Sequence, residues 1–481
     1  MRALALRHPA VAGFALFALV AGLSRPQSWR KPLEPDTGQY LYVADVLLHG
    51  GTPYADAANN KGPVTYLLFA PISLISAPHP ALVRLTLLVF AALAALAVAG
   101  YVAHYAGRAA GAAAGLALAL LASVPAMAGD DPNTAQYGIA PMAGAWYLAT
   151  RGSGRASLAA GALAAAATLM NPAFAVVLPF VAWELWRAGG RRPLALGAAG
   201  GAAVAVVVLG WIALAGALDD MADQVLEQAV RTATQGIPTG RVLERGDERG
   251  AQVLFRLPAP GLWIAGLLGC AVAAISDRRL RAPAIASALW IIVALLRVKL
   301  ATYGFFHHYY PGLAGIAAGI GLGLAAVWPR LERRPRVALA AVVLAALWIP
   351  YVAVPQLDLL KIPPERRRIG DAGFPEQHPV AEFVAASTRP GDRIQVEGIE
   401  AQVYWLARRR APTRFFDPYF VQRNRDNKRE LLAGLLADPP AAIAALPQEA
   451  VGPEVHELMR TVPYRLAYDV RGSRVWLRAD A

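Results

Sequence analysis

The chain has 481 residues, 56% of them hydrophobic and 16% charged, with 43 glycines, 36 prolines and one cysteine. Uncharged runs of about 18 or more residues recur, the length needed to cross a bilayer, so the composition excludes disorder, collagen and an ordinary water-soluble enzyme. Cys270 lies in such a run, which excludes an internal disulfide and a cysteine-based zinc site and predicts a small buried hydrophobe.

The apolar runs fall at 9–24, 80–106, 110–128, 136–150, 156–170, 173–186, 194–217, 260–276, 283–298, 305–328 and 337–354, predicting about eleven transmembrane helices. With the N-terminus cytoplasmic, the short inner loops hold fifteen arginines against Asp277 and Glu332, which accounts for the whole net charge of +13. That is the positive-inside pattern of a multi-pass protein of the plasma or inner membrane, not a nucleic-acid footprint. No small-residue cleavage pattern follows Leu23, so the first run is expected to stay attached. Residues 156–186 would make about 46 Å of helix, long for one span and short for two. Asn171-Pro172 at the midpoint predicts two short helices meeting at a turn.

Between the first two spans, Tyr40, Val43, Ala44, Leu47 and Leu48 recur at helical spacing and predict an amphipathic helix on the outer membrane surface, ended by Gly50-Gly51. Pro63–Ile75 supplies a second such segment, so 36–76 holds the outer-surface helices. Asp36 with Gln39 three residues on reads as a capping box, and Glu34 as a solvated neighbour. Asp130 and Asp131 read as a solvated outer turn or as site residues facing the first loop. In 218–259, arginines alternate with acids, as in a solvated lid on the acceptor side. Arg297 and Lys299 are placed as helix anchors or phosphate ligands. His307 and His308 sit among aromatics that resemble an interface belt, with His308 also a site candidate.

The tail from 356 carries 19 Lys+Arg and 17 Asp+Glu. Strands are predicted at Arg393–Glu397, Ala441–Leu446, Arg465–Val470 and Arg474–Arg478, and helices near Ala401–Ala407 and Lys428–Ala437. Arg408-Arg409-Arg410 reads as a solvated basic turn, with anionic headgroups as the alternative contact. The expected fold is therefore a polytopic α-helical membrane module, 1–355, followed by a small extracytoplasmic α/β domain, 356–481.

Three runs in the first outer loop carry a resemblance: Asp36-Thr37-Gly38-Gln39-Tyr40, His49-Gly50-Gly51-Thr52-Pro53-Tyr54-Ala55-Asp56 and Asn60-Lys61-Gly62-Pro63-Val64-Thr65-Tyr66. Asn133-Thr134 with Tyr137, Asn171-Pro172, His308-Tyr309-Tyr310-Pro311, Asp392-Arg393-Ile394 and Tyr404-Trp405-Leu406 extend it over most of the chain. In order and spacing they resemble the polyprenyl-phosphate-sugar-dependent membrane glycosyltransferases of the C fold, the superfamily of the protein O-mannosyltransferases and lipid A aminoarabinose transferases. The resemblance implies a general base at Asp36 and a lipid-phosphate contact at Lys61. Glu34, Tyr40, Asp130, Asp131, His308 and Lys299 are further substrate-binding candidates. It also implies a lipid-linked sugar donor, a glycan, lipid or protein acceptor, and contact with membrane lipids.

Relatives often carry further acids where this chain has Thr37, Asn59-Asn60 and Ala135-Gln136. A divalent metal would therefore need ligands from Asp130, Asp131 or His308, and metal dependence stays open. A transporter or flippase, and an inactive glycosyltransferase-like scaffold, are the competing readings. Transport would call for repeats, of which none of 20–50 residues is visible, and for polar residues or broken helices near the midplane, for which the only cases are Glu184, near an inner end, and the Asn171-Pro172 turn.

Overall fold

The computed structural model describes residues 9–23, 29, 32–122, 129, 131–227, 230, 260–300, 306–331, 376–421, 424–447 and 449–480. Those within 1–28, 85–208 and 239–363 form one compact unit, and those within 29–84, 209–238 and 364–481 form a second. The second unit thus joins the tail to parts of both outer segments.

Apolar helices fill the first unit. Pro9–Leu23, Pro80–Ala106, Arg108–Leu121, Thr134–Ala149, Gly154–Met170, Leu178–Gly189, Arg191–Leu214, Pro260–Ser276, Arg281–Leu300 and Leu313–Leu331 fall on ten of the eleven predicted runs. The eleventh, 337–354, lies outside the described residues. Among the described residues four helical segments, Pro80–Ala106, Arg191–Leu214, Arg281–Val298 and His307–Pro329, are long and apolar enough to cross a membrane. The predicted break is present: the Asn171 side chain accepts from the Ala173 amide at 3.0 Å and starts a 3-10 turn, Pro172–Val177, leading into the next helix.

Lipid tails offer no hydrophobic contrast, so these helices associate through close packing of small residues. A methyl on Gly161 would overlap the Gly197 carbonyl, and one on Gly319 or Gly323 would overlap the backbone at Gly266 or Gly269. The rings of Tyr101, Trp146 and Trp290 stack with centroids 3.8 and 4.7 Å apart. Glu184, 1% exposed, accepts from Tyr101 at 3.1 Å and Tyr105 at 2.7 Å and pairs with Arg187 at 3.3 Å. Such a carboxylate is satisfied within its own cluster.

In the second unit a four-stranded sheet runs β1 (Ile394–Glu397), β2 (Ala442–Ala445), β4 (Ser473–Arg478), β3 (Tyr464–Val470) in spatial order, with β1 and β2 parallel and the other neighbours antiparallel. The helices Gln402–Ala407 and Arg425–Ala437 lie in the β1–β2 connection, as parallel pairing requires. All four strands and both helices stand within three residues of their predicted bounds. Gln377–Ser387 and Pro453–Thr461 are additional helices.

β1 and β2 are buried on both faces. Ile394, Val396, Ala442, Ala444 and Val475 share one core with Tyr42, Val43, Val46, Tyr54 and Tyr66 from the first outer loop, and with Ile212, Met221 and Val225. The helix Pro35–Leu48 supplies the centre of that core, and its buried face is broader than the predicted stripe, taking in Thr37, Gly38, Leu41 and Tyr42 as well. Its C-terminus is a Schellman motif: Gly51 N–H donates to Val46 O at 2.9 Å, Gly50 N–H to Leu47 O at 3.1 Å, and Gly50 has φ +86°. The helix Pro63–Ser76 packs beside it through Phe69 on Tyr40, rings 5.2 Å apart, and leaves Leu67, Leu74 and Ile75 exposed.

One correction concerns the arginine triplet. Arg409 is 7% exposed, and its guanidinium donates to the Thr388 hydroxyl and to the carbonyls of Ala385, Thr388, Ala407 and Arg408. It ties the Gln377–Ser387 helix to the turn after Ala407, while Arg408 alone donates outward, to Ala77 O at 3.0 Å.

A Cβ on Gly38 would overlap the backbone nitrogen and side chain of Gln402. Gly38→Ala should therefore separate the two helices and destabilise the protein by about 1–3 kcal/mol, the usual cost of overpacking. Thermal unfolding in detergent checks this, and an unchanged midpoint would show that the interface yields.

Candidate active site

The site is built on the first turn of the Pro35–Leu48 helix and the loop that follows the helix. Pro35 occupies the first helical position, where its fixed φ and missing N–H fit, so the N-cap falls on Glu34 and Asp36 lies inside the first turn. The predicted capping box is thereby overturned. Glu34 makes no side-chain cap bond, and Gln39 reaches across to accept from the Asn59 side-chain amide at 2.9 Å. Nor is Glu34 solvated: it is 1% exposed and accepts from the Thr37 hydroxyl at 3.0 Å. A carboxylate in a helix's first turn is favoured by the helix dipole. Asp36, half-buried, accepts from the Tyr40 hydroxyl one turn later at 3.1 Å.

Lys61 reaches the ring of the same tyrosine, its ammonium 5.9 Å from the Tyr40 ring centroid. Among the described residues no carboxylate lies within ion-pair distance of it. Its backbone is held firmly instead. The Lys61 carbonyl accepts from Tyr54 at 2.8 Å and Tyr66 at 3.2 Å, and its N–H donates to the Asn59 side chain at 3.2 Å, which also accepts from Tyr66 at 2.9 Å. Burial raises both tyrosines well above their ordinary ionisation range, so they remain donors. Tyr54 itself sits at φ +73°, a strained conformation for a non-glycine residue that its burial maintains.

Two further groups have no local sequence signal. Gln224 bridges Asn59 and Tyr54. Asp417, 4% exposed, stands on the 411–421 segment of the tail. That segment is fixed to the first loop by Ala411 N–H donating to the Tyr42 hydroxyl at 3.0 Å, by Ala58 N–H donating to Arg414 O at 2.9 Å, and by Phe416 on the Tyr42 ring at 4.5 Å. Burial pushes the Asp417 carboxyl up to about 7; the charge of Asp36 adds to this and the Tyr419 N–H opposes it. The site therefore holds two carboxyl groups within electrostatic reach of each other, one of them close to half-protonated at neutral pH.

The other candidates lie in the first unit or outside the described residues. Asp131 is 1% exposed, which corrects the solvated turn, and its carbonyl accepts from Asn133 N–H at 2.8 Å. His308 is half-buried and its carbonyl accepts from Arg297, whose guanidinium lies 5.7 Å from the Phe174 ring centroid. Among its described members, His307, Tyr309 and Tyr310 are buried at 8%, 4% and 0%, which is interior packing where an interface belt was expected. Asp130, the Lys299 side chain and the arginine-rich stretch 231–259 are outside the described residues.

No protein-family model matches the chain, and no curated protein sequence matches it significantly. Solved structures do. The crystal structure of ArnT from Cupriavidus metallidurans bound to undecaprenyl phosphate matches with a TM-score of 0.62 at 16% identity, over 97% of each chain. The archaeal oligosaccharyltransferase AglB from Archaeoglobus fulgidus, in complex with an inhibitory peptide and a dolichol-phosphate, matches at 0.55 and 12% identity, over 99% of this chain and 75% of that one. The Archaeoglobus fulgidus oligosaccharyltransferase in complex with Zn and sulfate matches at 0.54 and 13% identity, over 97% and 73%. The chain has the C fold of membrane glycosyltransferases.

The C fold does not by itself bring a metal. Hard cations need several oxygen ligands, and among the described residues no three His, Cys, Asp or Glu side chains converge. Among the described residues such a donor set is not assembled.

Because the folded-state pKa of Asp417 is raised, the stability linked to its neutral form is complete below about pH 4 and lost as the pH climbs through about 7. Asp417→Asn keeps the shape without titrating. Relative to wild type, its melting temperature should rise by several degrees between pH 5 and pH 7.5; a difference that does not change with pH would refute the shift.

Proposed function

We propose that this membrane protein transfers a sugar from a polyprenyl-phosphate donor to an acceptor hydroxyl on the outer face of the membrane, with inversion at the anomeric carbon. The observation that carries the reading is the sharing of Tyr40 by Asp36 and Lys61, in a chain with the fold of glycosyltransferases whose solved structures hold undecaprenyl phosphate and dolichol-phosphate. Asp36 takes the proton of the acceptor hydroxyl as its oxygen attacks the anomeric carbon. The bond from that carbon to the phosphate oxygen breaks, and the departing lipid phosphate carries a charge that Lys61 compensates. Tyr40 orients the Asp36 carboxylate through its hydroxyl. Glu34, buried against Thr37 in the turn before Asp36, is proposed as a further residue of the donor side of the site.

The proposed topology has eleven spans with a cytoplasmic N-terminus, which places the first outer loop and the tail on the same side as the prenyl-phosphate headgroup. Reporter fusions should place residues 151–155, 187–192, 278–281 and 330–336 in the cytoplasm and residue 420 outside. A cytoplasmic signal at 420 would overturn the topology.

Two substitutions test the chemistry. Asp36→Asn removes the base at nearly constant shape and should slow transfer by about 10²–10⁴-fold without lowering the melting temperature; transfer at the wild-type rate would remove Asp36 from the mechanism. Lys61→Ala should weaken donor binding by about 1.5–3 kcal/mol, the range for a charge-assisted hydrogen bond, with Lys61→Arg retaining part of it. Equal donor affinity in Lys61→Ala and wild type would refute the phosphate assignment.

A further inference from the structure

Gln224 lies 163 residues beyond Lys61 in sequence, in a π-helical turn, Ala222–Glu227, that follows the short helix Leu218–Met221. Its side chain is buried, 4% exposed, and both ends of the amide are used. The oxygen accepts from the Asn59 backbone N–H at 3.0 Å, and the nitrogen donates to the Tyr54 carbonyl at 3.1 Å. These two residues, with Tyr66, hold the Lys61 backbone, Asn59 through the Lys61 N–H and Tyr54 through the Lys61 carbonyl. One amide thus closes the 54–61 loop from outside the loop.

The turn that carries Gln224 is itself anchored. Met221 and Val225 enter the shared core, and Asp220, four residues before Gln224, pairs with Arg414 at 2.7 Å, which also pairs with Glu430 at 2.8 Å. The strut therefore runs from the tail through Asp220 to Gln224 and on to the loop. A primary amide is suited to this position because it donates and accepts at once; a carboxylate would place a lone pair against the Tyr54 carbonyl.

We propose that Gln224 is a positioning residue of the donor site: by clamping Tyr54 and Asn59 it sets where the Lys61 ammonium stands, so the second outer segment controls affinity for the donor phosphate. This rests on the phosphate role of Lys61 proposed above.

The test is a double-mutant cycle on the full chain in nanodiscs, with undecaprenyl phosphate as the probe and hydrogen exchange as an independent readout. In Gln224→Ala, amide exchange across residues 52–61 should accelerate at least tenfold. The Kd for the probe should rise about tenfold, and most of that rise should vanish in the Lys61→Ala background. Gln224→Glu, which keeps the acceptor and loses the donor, should fall between. Unchanged exchange at 52–61 would overturn the clamp, and a Kd change that persists in full without Lys61 would overturn action through Lys61. If the wild type fails to bind the probe while exchange still accelerates in Gln224→Ala, the clamp stands and the donor assignment of Lys61 fails. In a transfer assay Gln224→Ala should raise the donor KM and also lower kcat, because Lys61 meets the charge on the departing phosphate, whereas loss of folded enzyme would lower apparent kcat and leave KM unchanged.

Discussion

The contact on which the second unit depends is the burial of Tyr42. Its ring lies 4.8 Å from Tyr404 and 4.5 Å from Phe416, and its hydroxyl accepts from the Ala411 amide. Tyr42 belongs to the helix that carries Asp36 and Tyr40, whereas its partners lie more than 360 residues later. Neither side has a complete core alone. One face of the sheet would expose Ile394, Val396 and Ala444, and the helix would expose Val43 and Val46, to which bulk water is hostile. The residues that complete the core of the tail are thus chain neighbours of the proposed base, Asp36.

Local pattern was a sufficient guide wherever the determining forces are local. The tail strands alternate with turn residues, and the Asn171-Pro172 break follows from proline geometry, so both could be read directly. Asp36 and Lys61 stand out in the sequence because they fall in one loop among glycines and prolines with a recognisable order, and the fold brings both to Tyr40. The cap was misplaced by two residues because Pro35 was given less weight than the Asp36/Gln39 spacing. Arg409 was misread for a related reason: three consecutive arginines look solvated, and only the carbonyls of Ala385 and Thr388, brought close by tertiary folding, make a buried guanidinium affordable. Asp417 and Gln224 had no signal at all, since a single carboxyl or amide acquires its role from partners far away in sequence.

The first unit and the second follow different packing economies. Between membrane helices, glycine surfaces at Gly161, Gly197, Gly266 and Gly319 let backbones meet, and adhesion comes from dispersion and close fit. In the second unit large aromatic rings do the filling, with Tyr40, Tyr42, Tyr54, Tyr66 and Tyr404 all buried. Each of those rings ends in a hydroxyl that needs a partner, so the aromatic core is also a hydrogen-bonding scaffold. The polar loop around Lys61 is attached to it at Tyr54 and Tyr66.

Tyr40 engages both candidate groups at once, and that bears on the electrostatics of the site. A carboxylate and an ammonium in direct contact quench each other: the acid becomes a weaker base, and the cation comes to the phosphate already neutralised. Tyr40 meets Asp36 through its hydroxyl and Lys61 through its ring. In the proposed reaction, a substrate with a proton to lose at one end and negative charge to gain at the other would find an acceptor and a cation gathered on a single side chain.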